Sequence, residues 1–244
     1  FSAGPCILPQ EVFQQSSQSI LNFNNLNLSL IEISHRSEDF VNVMEETISL
    51  TKELLNIPKE YSVLFLQGGA SLEFLMVAIN LMKENGKAIY LDTGTWSSKA
   101  IKEAKIFGNT HIIASSKNKN YNYIPKNYNI PKDACYFHCT SNNTVFGTQI
   151  KNFPNSPISL VCDMSSDIFS RNIDVKQFDL IYAGAQKNLG PAGATLVIIK
   201  NNILGKTGRI IPTMLDYRTH INKNSMFNTP PVFSIYVSIM FVPS

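Results

Sequence analysis

The sequence lacks any apolar run long enough to cross a bilayer. Its longest strongly apolar stretch, Ile235 to Val242 with Ser238 inside it, falls far short of the roughly 20 residues that a membrane-spanning helix needs. A basic and apolar leader is also missing, because the chain opens directly on Phe1-Ser2-Ala3-Gly4-Pro5. We therefore expect no membrane partner and no signal peptide.

Paired cysteines are missing as well. Cys6, Cys135, Cys139 and Cys162 contain no CxxC pair and have no histidines at zinc-ligand spacing. Three of the four lie in or beside apolar runs, which is typical of reduced, buried thiols in a cytosolic protein. The expectation is a cytoplasmic protein without a metal site.

The chain has no large excess of charge of either sign. Lys plus Arg is 21 and Asp plus Glu is 18, which gives a net charge of +3. These charges are spread along the sequence, which argues against nucleic acid as a partner. With 244 residues, 44% of them hydrophobic, and no linker or internal repeat, we expect one large domain.

Short apolar runs recur, with helical patterns between several of them. This alternation predicts an α/β fold in which a mostly parallel sheet is flanked by helices. The predicted strands are Ser62 to Leu66, Lys87 to Leu91, His111 to Ala114, Cys135 to His138, Ile158 to Cys162, Leu180 to Tyr182 and Thr195 to Ile199.

Two segments carry an apolar face at helical spacing. One is marked by Val41, Met44, Ile48 and Leu55, and the other runs from Leu72 to Ile79 and is expected to close at Asn85-Gly86. Both faces of the sheet would then be covered. Two further segments are expected to lie outside this pattern, an extended N-terminal arm over residues 1–34 and an exposed connection at 116–129.

In an open α/β sheet the ligand lies at the carboxyl ends of the strands. After the first run comes Gln67-Gly68-Gly69-Ala70-Ser71, leading straight into a helix. Glycines let the backbone approach an anion, and a helix N-terminus favours a phosphate. The alternative is a tight turn with Ser71 as a helix cap.

Two of the other strand ends carry ionisable groups. Asp163 follows a buried run and would be partly desolvated, although an Asp here could also cap a helix. Lys187 stands between small residues and a Gly-Pro-Ala-Gly turn, Gly190 to Gly193. Most lysines are solvated surface charges, but a desolvated lysine has a lowered pKa and can form a Schiff base.

The chain's single tryptophan, Trp96, follows another strand. A lone Trp is more often core packing than a stacking platform. Taken together, however, the four strand ends supply a phosphate cradle, a carboxylate, a Schiff-base lysine and an indole. These are the four kinds of binding group that pyridoxal 5′-phosphate (PLP) requires.

Four segments are similar to a known family. They are Phe1 to Pro5, Ser34-His35-Arg36, Tyr182 to Gly193 and Ser225 to Pro231. In order and over essentially the whole chain, they resemble the phosphoserine aminotransferases, PLP enzymes of fold type I in the class V group. The resemblance implies an aspartate aminotransferase-like large domain over residues 35–244, an arm at 1–34 that contributes to the active site, and no small C-terminal domain within this chain.

The resemblance also implies roles for individual residues. Lys187 and Asp163 would be catalytic, as the Schiff-base lysine and the partner of the ring nitrogen. Arg36, with His35 beside it, would bind the acidic or phosphorylated substrate. The cofactor would be held by Ala70, Ser71, Trp96, Thr144, Asp163, Gln186 and Lys187, and by Asn228 and Thr229 from the neighbouring subunit of a homodimer.

The implied reaction is transamination between glutamate and 3-phosphohydroxypyruvate, which belongs to serine biosynthesis and, in the family, also to pyridoxine biosynthesis. Some members have an arginine where Ser71 stands, but the implied contact there is through the backbone. Two alternatives stay open. One is another fold type I PLP enzyme, either a different aminotransferase or a cysteine desulfurase, and the other is a PLP-binding fragment without turnover.

Overall fold

The chain alternates helices and strands along most of its length. The computed structural model describes residues 4–5 and 7–241, and every helix and strand below falls within those ranges. The helices are α1 Gln10–Leu21, α2 Glu38–Leu54, α3 Gly69–Leu81, α4 Thr95–Ala104, α5 Ala185–Asn188, α6 Tyr217–Ile221 and α7 Val232–Phe241. The strands are β1 Tyr61–Leu66, β2 Lys87–Asp92, β3 Asn109–Ser115, β4 Phe137–Thr140, β5 Asn142–Asn143, β6 Thr148–Gln149, β7 Leu160–Asp163, β8 Leu180–Gly184 and β9 Thr195–Lys200.

Seven of these strands form one twisted layer in the order β1-β9-β8-β7-β4-β2-β3. The pairs β8/β7, β7/β4, β4/β2 and β2/β3 are parallel. Only β9 runs the other way, antiparallel to both β1 and β8. The predicted mostly parallel α/β sheet is therefore confirmed.

The reversed strand β9 decides where α5 lies. A parallel return to the sheet needs a crossover of a dozen or more residues, whereas an antiparallel return can be short. The chain leaves β8 at Gly184 and re-enters the sheet at Thr195. Residues 185–194, which include α5, therefore stay at the carboxyl end of β8, next to the carboxyl end of β7.

The two faces of the sheet bury two separate apolar clusters. Alternate residues of each strand point to opposite faces, so Phe65, Ile181 and Ile198 join one cluster while Leu64, Tyr182 and Val197 join the other. Residues of α2 complete the first cluster, and residues of α3 and α4 complete the second. Both faces are covered, as predicted.

Several element boundaries differ from the predicted ones. Helix α3 ends at Leu81 and not at 85–86, because Met82 takes an extended backbone and is fully buried. A turn then follows in which the Gly86 amide donates to the Lys83 carbonyl at 2.9 Å. Strand β4 starts two residues later than predicted, at Phe137, and continues to Thr140.

The segments expected to lie outside the sheet pattern hold more structure than predicted. Residues 10–21 form α1 where an extended arm was expected, and residues 1–3 and 6 of the predicted arm lie outside the described ones. Most of 116–129 is exposed or half-buried, but Tyr121 is buried. Its hydroxyl lies 3.2 Å from Ser98 Oγ and 3.4 Å from Asp92 Oδ2, which ties this connection to the ends of β2 and α4.

The cysteines that the structure describes are free thiols. Cys139 and Cys162 are buried as predicted, whereas Cys135 is half-exposed and Cys6 lies outside the described residues. Over residues 4–5 and 7–241, no helix has both the length and the apolar character needed to cross a membrane.

Helix α3 carries a buried carboxyl. Glu73, on α3, is fully buried and accepts a hydrogen bond from the Tyr217 hydroxyl, while its Oε1 has no partner among the described residues. Burial raises the pKa of Glu73 to about 8, against the opposing effect of the Tyr217 hydrogen bond. The folded chain thus binds a proton here that the unfolded chain releases above its ordinary carboxyl pKa.

We expect the free energy of unfolding to fall as the pH rises from about 5 to 8, because the raised pKa favours the folded state only while Glu73 is protonated. Glu73→Gln should flatten this dependence by on the order of a few kcal/mol, measured as urea midpoints at the two pH values. Glu84→Gln, on an exposed side chain, is the control and should leave the slope as in the parent. Equal slopes in the parent and Glu73→Gln would contradict the prediction.

Candidate functional site

The site lies where four strands of the sheet end. β7 ends at Asp163, β8 runs into α5 with Lys187, β2 leads to Trp96 at the start of α4, and β4 leads into the small hairpin β5–β6. Because parallel strands present their carboxyl ends at one edge, these groups converge there. The Lys187 amine, the Thr144 hydroxyl and the Trp96 indole are brought into direct contact.

Lys187 presents a partly desolvated amine. Its side chain is half-buried, and Nζ donates to Thr144 Oγ1 at 2.8 Å. Desolvation lowers the pKa of Lys187, and the nearby Asp163 carboxylate offsets part of that shift. A lysine with a lowered pKa carries more unprotonated, nucleophilic amine near neutral pH. The solvated-surface interpretation of Lys187 is therefore wrong.

Asp163 is a buried carboxylate with one oxygen left open. It is 5% exposed, and its Oδ1 accepts hydrogen bonds from the Ser165 amide at 2.9 Å and from Ser165 Oγ at 2.6 Å. Burial raises the pKa of Asp163, while the Ser165 hydrogen bonds and the Lys187 charge pull it back. Oδ2 has no hydrogen bond from a described residue. This oxygen can receive a further donor, such as a protonated ring nitrogen.

Asp163 and Lys187 attract one another without forming an ion pair. None of the ion pairs between residues 7 and 241 joins them. The Asp163 carboxylate nevertheless stabilises the charged form of Lys187, and the Lys187 amine stabilises the charged form of Asp163. The two groups are therefore close enough to influence each other electrostatically but do not pair directly, so a third group can stand between them.

Trp96 borders that space. The Trp96 ring centroid lies 4.6 Å from Lys187 Nζ and 4.6 Å from Lys99 Nζ, within the range of a cation–π contact. Its indole nitrogen is buried and has no partner within the described chain. The start of α4 is fixed by Ser97 Oγ, which accepts hydrogen bonds from the Thr93 and Gly94 amides at 2.9 and 3.0 Å.

Asp92 also fixes the start of α4. Its Oδ1 accepts a hydrogen bond from Ser98 Oγ at 2.9 Å, and its Oδ2 accepts one from Ser115 Oγ at 2.7 Å. The carboxylate at the end of β2 thus holds α4 and β3 together. Trp96 is therefore presented from a fixed helix start and not from a free loop.

The Gly-Gly turn after β1 presents open backbone amides. Gly68 has φ +95°, and a Cβ there would lie 2.5 Å from Leu72 Cδ2, so glycine is required for this turn. Gly69, Ala70 and Ser71 form the first turn of α3, whose amides have no partner inside the helix. The N-cap residue is Gly68 and not Ser71, so among the described residues no side chain caps the amides of the first turn. The amides of Ala70 and Ser71 can therefore bind a phosphate.

Other residues predicted for the site lie near it or apart from it. Gln186 is half-buried beside Lys187. Asn228 and Thr229 are exposed, and the Thr229 carbonyl accepts a hydrogen bond from Gln67 Nε2 at 2.6 Å, which places their segment beside the Gly-Gly turn of the same chain.

The predicted substrate residues, His35 and Arg36, are not bonded to the described residues around Lys187. Burial and the Arg36 charge lower the pKa of His35, whose Nε2 is buried and has no described partner. Arg36 is exposed. Among the described residues, no hydrogen bond or ion pair links either side chain to Lys187 or Asp163.

The structure adds residues that sequence reasoning did not assign. Ser165 holds Asp163 and also accepts a hydrogen bond from the Gly184 amide at 3.1 Å. The only signal for it was its position two residues after Asp163. Gly4 lies against Lys187, since a Cβ on Gly4 would stand 3.4 Å from Lys187 Cγ. Gly4 therefore lies beside the amine-bearing side chain.

The chain is similar to proteins of one family. The sequence model described as aminotransferase class V matches residues 1–240. A phosphoserine aminotransferase of Flavobacterium psychrophilum is 71% identical over 241 residues, which cover 98% of this chain and 68% of that protein.

Solved structures are similar as well. A phosphoserine aminotransferase structure, described for radiation damage of its Schiff base, has a TM-score of 0.96 and 48% identity and covers 99% of this chain and 68% of its own. The PLP-bound phosphoserine aminotransferase of Trichomonas vaginalis has a TM-score of 0.94 and 35% identity, and the match covers 99% of this chain and 69% of its own. This chain thus spans about two thirds of the length of these relatives.

Replacing Asp163 should change the titration of Lys187. Asp163→Asn removes the negative charge that favours the protonated amine, so we expect the pKa of Lys187 to fall by on the order of half a pH unit or more. The midpoint can be followed in the ligand-free chain as the pH dependence of amine labelling at Lys187, measured by peptide mass spectrometry. Asp174→Asn, on an exposed carboxylate, is the control. A higher or unchanged midpoint in Asp163→Asn would contradict the assignment.

Proposed function

The chain belongs to the class V aminotransferase family, and on that basis we propose that it is a PLP-dependent phosphoserine aminotransferase. It transfers the amino group of glutamate to 3-phosphohydroxypyruvate, which gives 2-oxoglutarate and O-phosphoserine in serine biosynthesis. The observation that carries the proposal is the arrangement of Lys187, Asp163 and Trp96 around one space at the carboxyl edge of the sheet.

The groups available for a ligand at the carboxyl edge of the sheet fit PLP. The open Oδ2 of Asp163 suits a protonated ring nitrogen, the Trp96 indole suits a ring face, and the amine of Lys187 suits an aldehyde. The first amides of α3 suit a phosphate. When bound, PLP supplies an aldehyde that condenses with amines and a protonated ring that accepts electron density from the substrate.

Lys187 has two tasks in this reaction. Its Nζ would hold the cofactor aldehyde, and the free amine would act as the general base that takes the proton from the substrate α-carbon. The lowered pKa of Lys187 favours the unprotonated amine that this role needs. Thr144 Oγ1, at 2.8 Å, orients Nζ.

Asp163 and the residues around it would bind and orient the cofactor. Asp163 Oδ2 would keep the ring nitrogen protonated, and the two Ser165 hydrogen bonds to Oδ1 favour the charged carboxylate against the effect of burial. Trp96 keeps water from one face of the ring. The amides of Ala70 and Ser71, together with the Gln186 side chain, bind the phosphate.

Arg36 and His35 bind the acidic substrate. A guanidinium matches carboxylate or phosphate oxygens in a two-point contact, and Arg36 is exposed with its side chain available. The proposed division of the chain is an arm at 1–34, supported by the approach of Gly4 to Lys187, and a PLP-binding large domain from residue 35 onwards.

The proposed assembly is a homodimer in which Asn228 and Thr229 reach the phosphate of the neighbouring subunit. Exposed apolar side chains on the N-terminal segment support an interface there; they are Ile7, Phe13, Leu21, Leu26, Leu28 and Ile31. The free thiols of Cys135, Cys139 and Cys162 suit the cytoplasm as the proposed location.

Other fold type I enzymes hold PLP with the same kinds of residue, so substrate specificity distinguishes these activities. The relatives at 71% and 66% identity are named phosphoserine aminotransferases, which favours that activity over a cysteine desulfurase. Assays of glutamate with phosphohydroxypyruvate, against alanine, serine and cysteine as donors, would separate these activities. Absence of turnover with every donor would favour a PLP-binding fragment.

Lys187→Ala should abolish both cofactor attachment and turnover. With PLP added, the parent chain should show a visible absorbance band, and borohydride should fix the cofactor onto the peptide that contains Lys187. The variant should show neither, and its transamination rate should fall about 10²- to 10⁴-fold or more. Lys176→Ala, on an exposed lysine, should behave as the parent. A retained band in Lys187→Ala would refute the role of Lys187.

Arg36→Gln should weaken substrate binding more than chemistry. Loss of a charge-assisted contact to a carboxylate or phosphate should raise KM for the acidic substrate about tenfold or more, with a smaller change in kcat. Arg218→Gln is the control, because Arg218 is exposed and pairs locally with Asp216. A fall in kcat at unchanged KM would argue against a binding role for Arg36.

A further inference from the structure

We propose that Asp167 is a positioning residue, whose buried carboxylate clamps both ends of the hairpin β5–β6 and thereby sets Thr144 against the amine of Lys187. The relevance of this clamp to catalysis rests on the proposed function, but the clamp itself concerns only residues of this chain. Among the described residues, no hydrogen bond or ion pair joins Asp167 to Lys187 or Trp96, although the Asp167 charge contributes to raising the pKa of Asp163.

The clamp closes the base of the hairpin from both sides. Asp167 is 4% exposed. Its Oδ1 accepts a hydrogen bond from Ser141 Oγ, just before β5, and its Oδ2 accepts one from Gln149 Nε2, at the end of β6, at 3.1 Å. A single carboxylate therefore joins the residue that enters the hairpin to the residue that leaves it.

The hairpin needs such a tie because its own ladder is minimal. Its two strands pair only at Asn142 with Gln149 and at Asn143 with Thr148, and an isolated two-stranded hairpin is marginally stable in water. Thr144 stands at the start of its turn, where it accepts the Lys187 hydrogen bond. The placement of Thr144 Oγ1 thus depends on contacts made outside the hairpin.

The other side of the clamp is the segment that follows Asp163. Asn142 Nδ2 donates to Ser166 Oγ at 2.9 Å, and Ser166 Oγ donates to the Asn142 carbonyl at 2.9 Å. Ser141 Oγ also lies 3.0 Å from the Asp163 carbonyl. The hairpin with Thr144 and the turn after Asp163 are consequently held as one unit.

A carboxylate suits this position better than an amide. Arg171 Nη2 donates to Asp167 Oδ2 at 3.1 Å, so the buried charge is paired as well as hydrogen-bonded. Asp167 thus accepts from three donors. Asn at this position has only one accepting oxygen, and its NH₂ group would face a donor from Ser141 or from Gln149 and Arg171.

A double-mutant cycle tests whether Asp167 acts through Thr144. The variants are Asp167→Asn, Thr144→Val and the double variant, and the readout is the pH midpoint of amine labelling at Lys187 in the ligand-free chain. Thr144→Val removes the acceptor of the Nζ hydrogen bond and should lower the midpoint by about half a unit to one unit. Asp167→Asn should lower it in the same direction, and the double variant should go no further than Thr144→Val.

A direct charge effect of Asp167 would give a different result. It would persist in the Thr144→Val background, so that the two shifts would add. Gln149→Leu cuts the same clamp without changing any charge, and it should also lower the midpoint in the parent but not in the Thr144→Val background. It takes the place of Asp167→Asn if that variant does not fold.

Additive shifts, or an unmoved midpoint in Asp167→Asn and Gln149→Leu, would overturn the proposal. A purely structural role would lower the urea midpoint of unfolding and leave the Lys187 midpoint in place. Asp133→Asn, on an exposed carboxylate paired with Lys87, is the control. Because no cofactor is used, failure of the proposed function would appear separately, as absent PLP binding in a chain whose cycle still shows coupling.

Discussion

The site depends on a half-buried amine and a buried carboxylate that share one sheet edge without forming an ion pair. Each charge loses solvation there, which is costly unless other groups compensate. Asp163 is compensated by two hydrogen bonds from Ser165, and Lys187 by one to Thr144. Direct pairing of the two charges would satisfy both, but it would also fill the space in which a cofactor ring can stand.

The sheet topology sets this separation. Asp163 ends β7 and Lys187 lies three residues beyond the end of β8, on adjacent parallel strands. Because β9 returns antiparallel, residues 185–194 cannot leave the sheet edge to cover a face. The amine therefore stays above the strand ends, and the hairpin β5–β6 supplies the hydroxyl that meets it from the side of β4.

The strand pattern and the four strand-end motifs could be predicted from the sequence, because apolar runs and small residues act over short distances along the chain. Each of the seven predicted main-sheet strands overlaps an observed one, and Lys187, Thr144 and Trp96 are in contact. What the sequence could not predict depends on contacts between distant segments. Tyr121 is buried in an otherwise polar connection because its hydroxyl meets Asp92, and Asp167 is tied to Gln149 across 18 positions.

Within the described chain, the side chains beside Lys187 have fewer hydrogen-bond partners than the side chains that hold them in place. Asp167 accepts hydrogen bonds from three donors, whereas Asp163 Oδ2 and the Trp96 indole nitrogen have no partner among the described residues. The Trp96 nitrogen is buried without a described partner, which costs stability unless a further group meets it in the working state. The fully satisfied Asp167 keeps the hairpin in place, while the open atoms of Asp163 and Trp96 are free to meet a ligand. This separation of rigid support from open contacts is what a preorganised catalytic site requires.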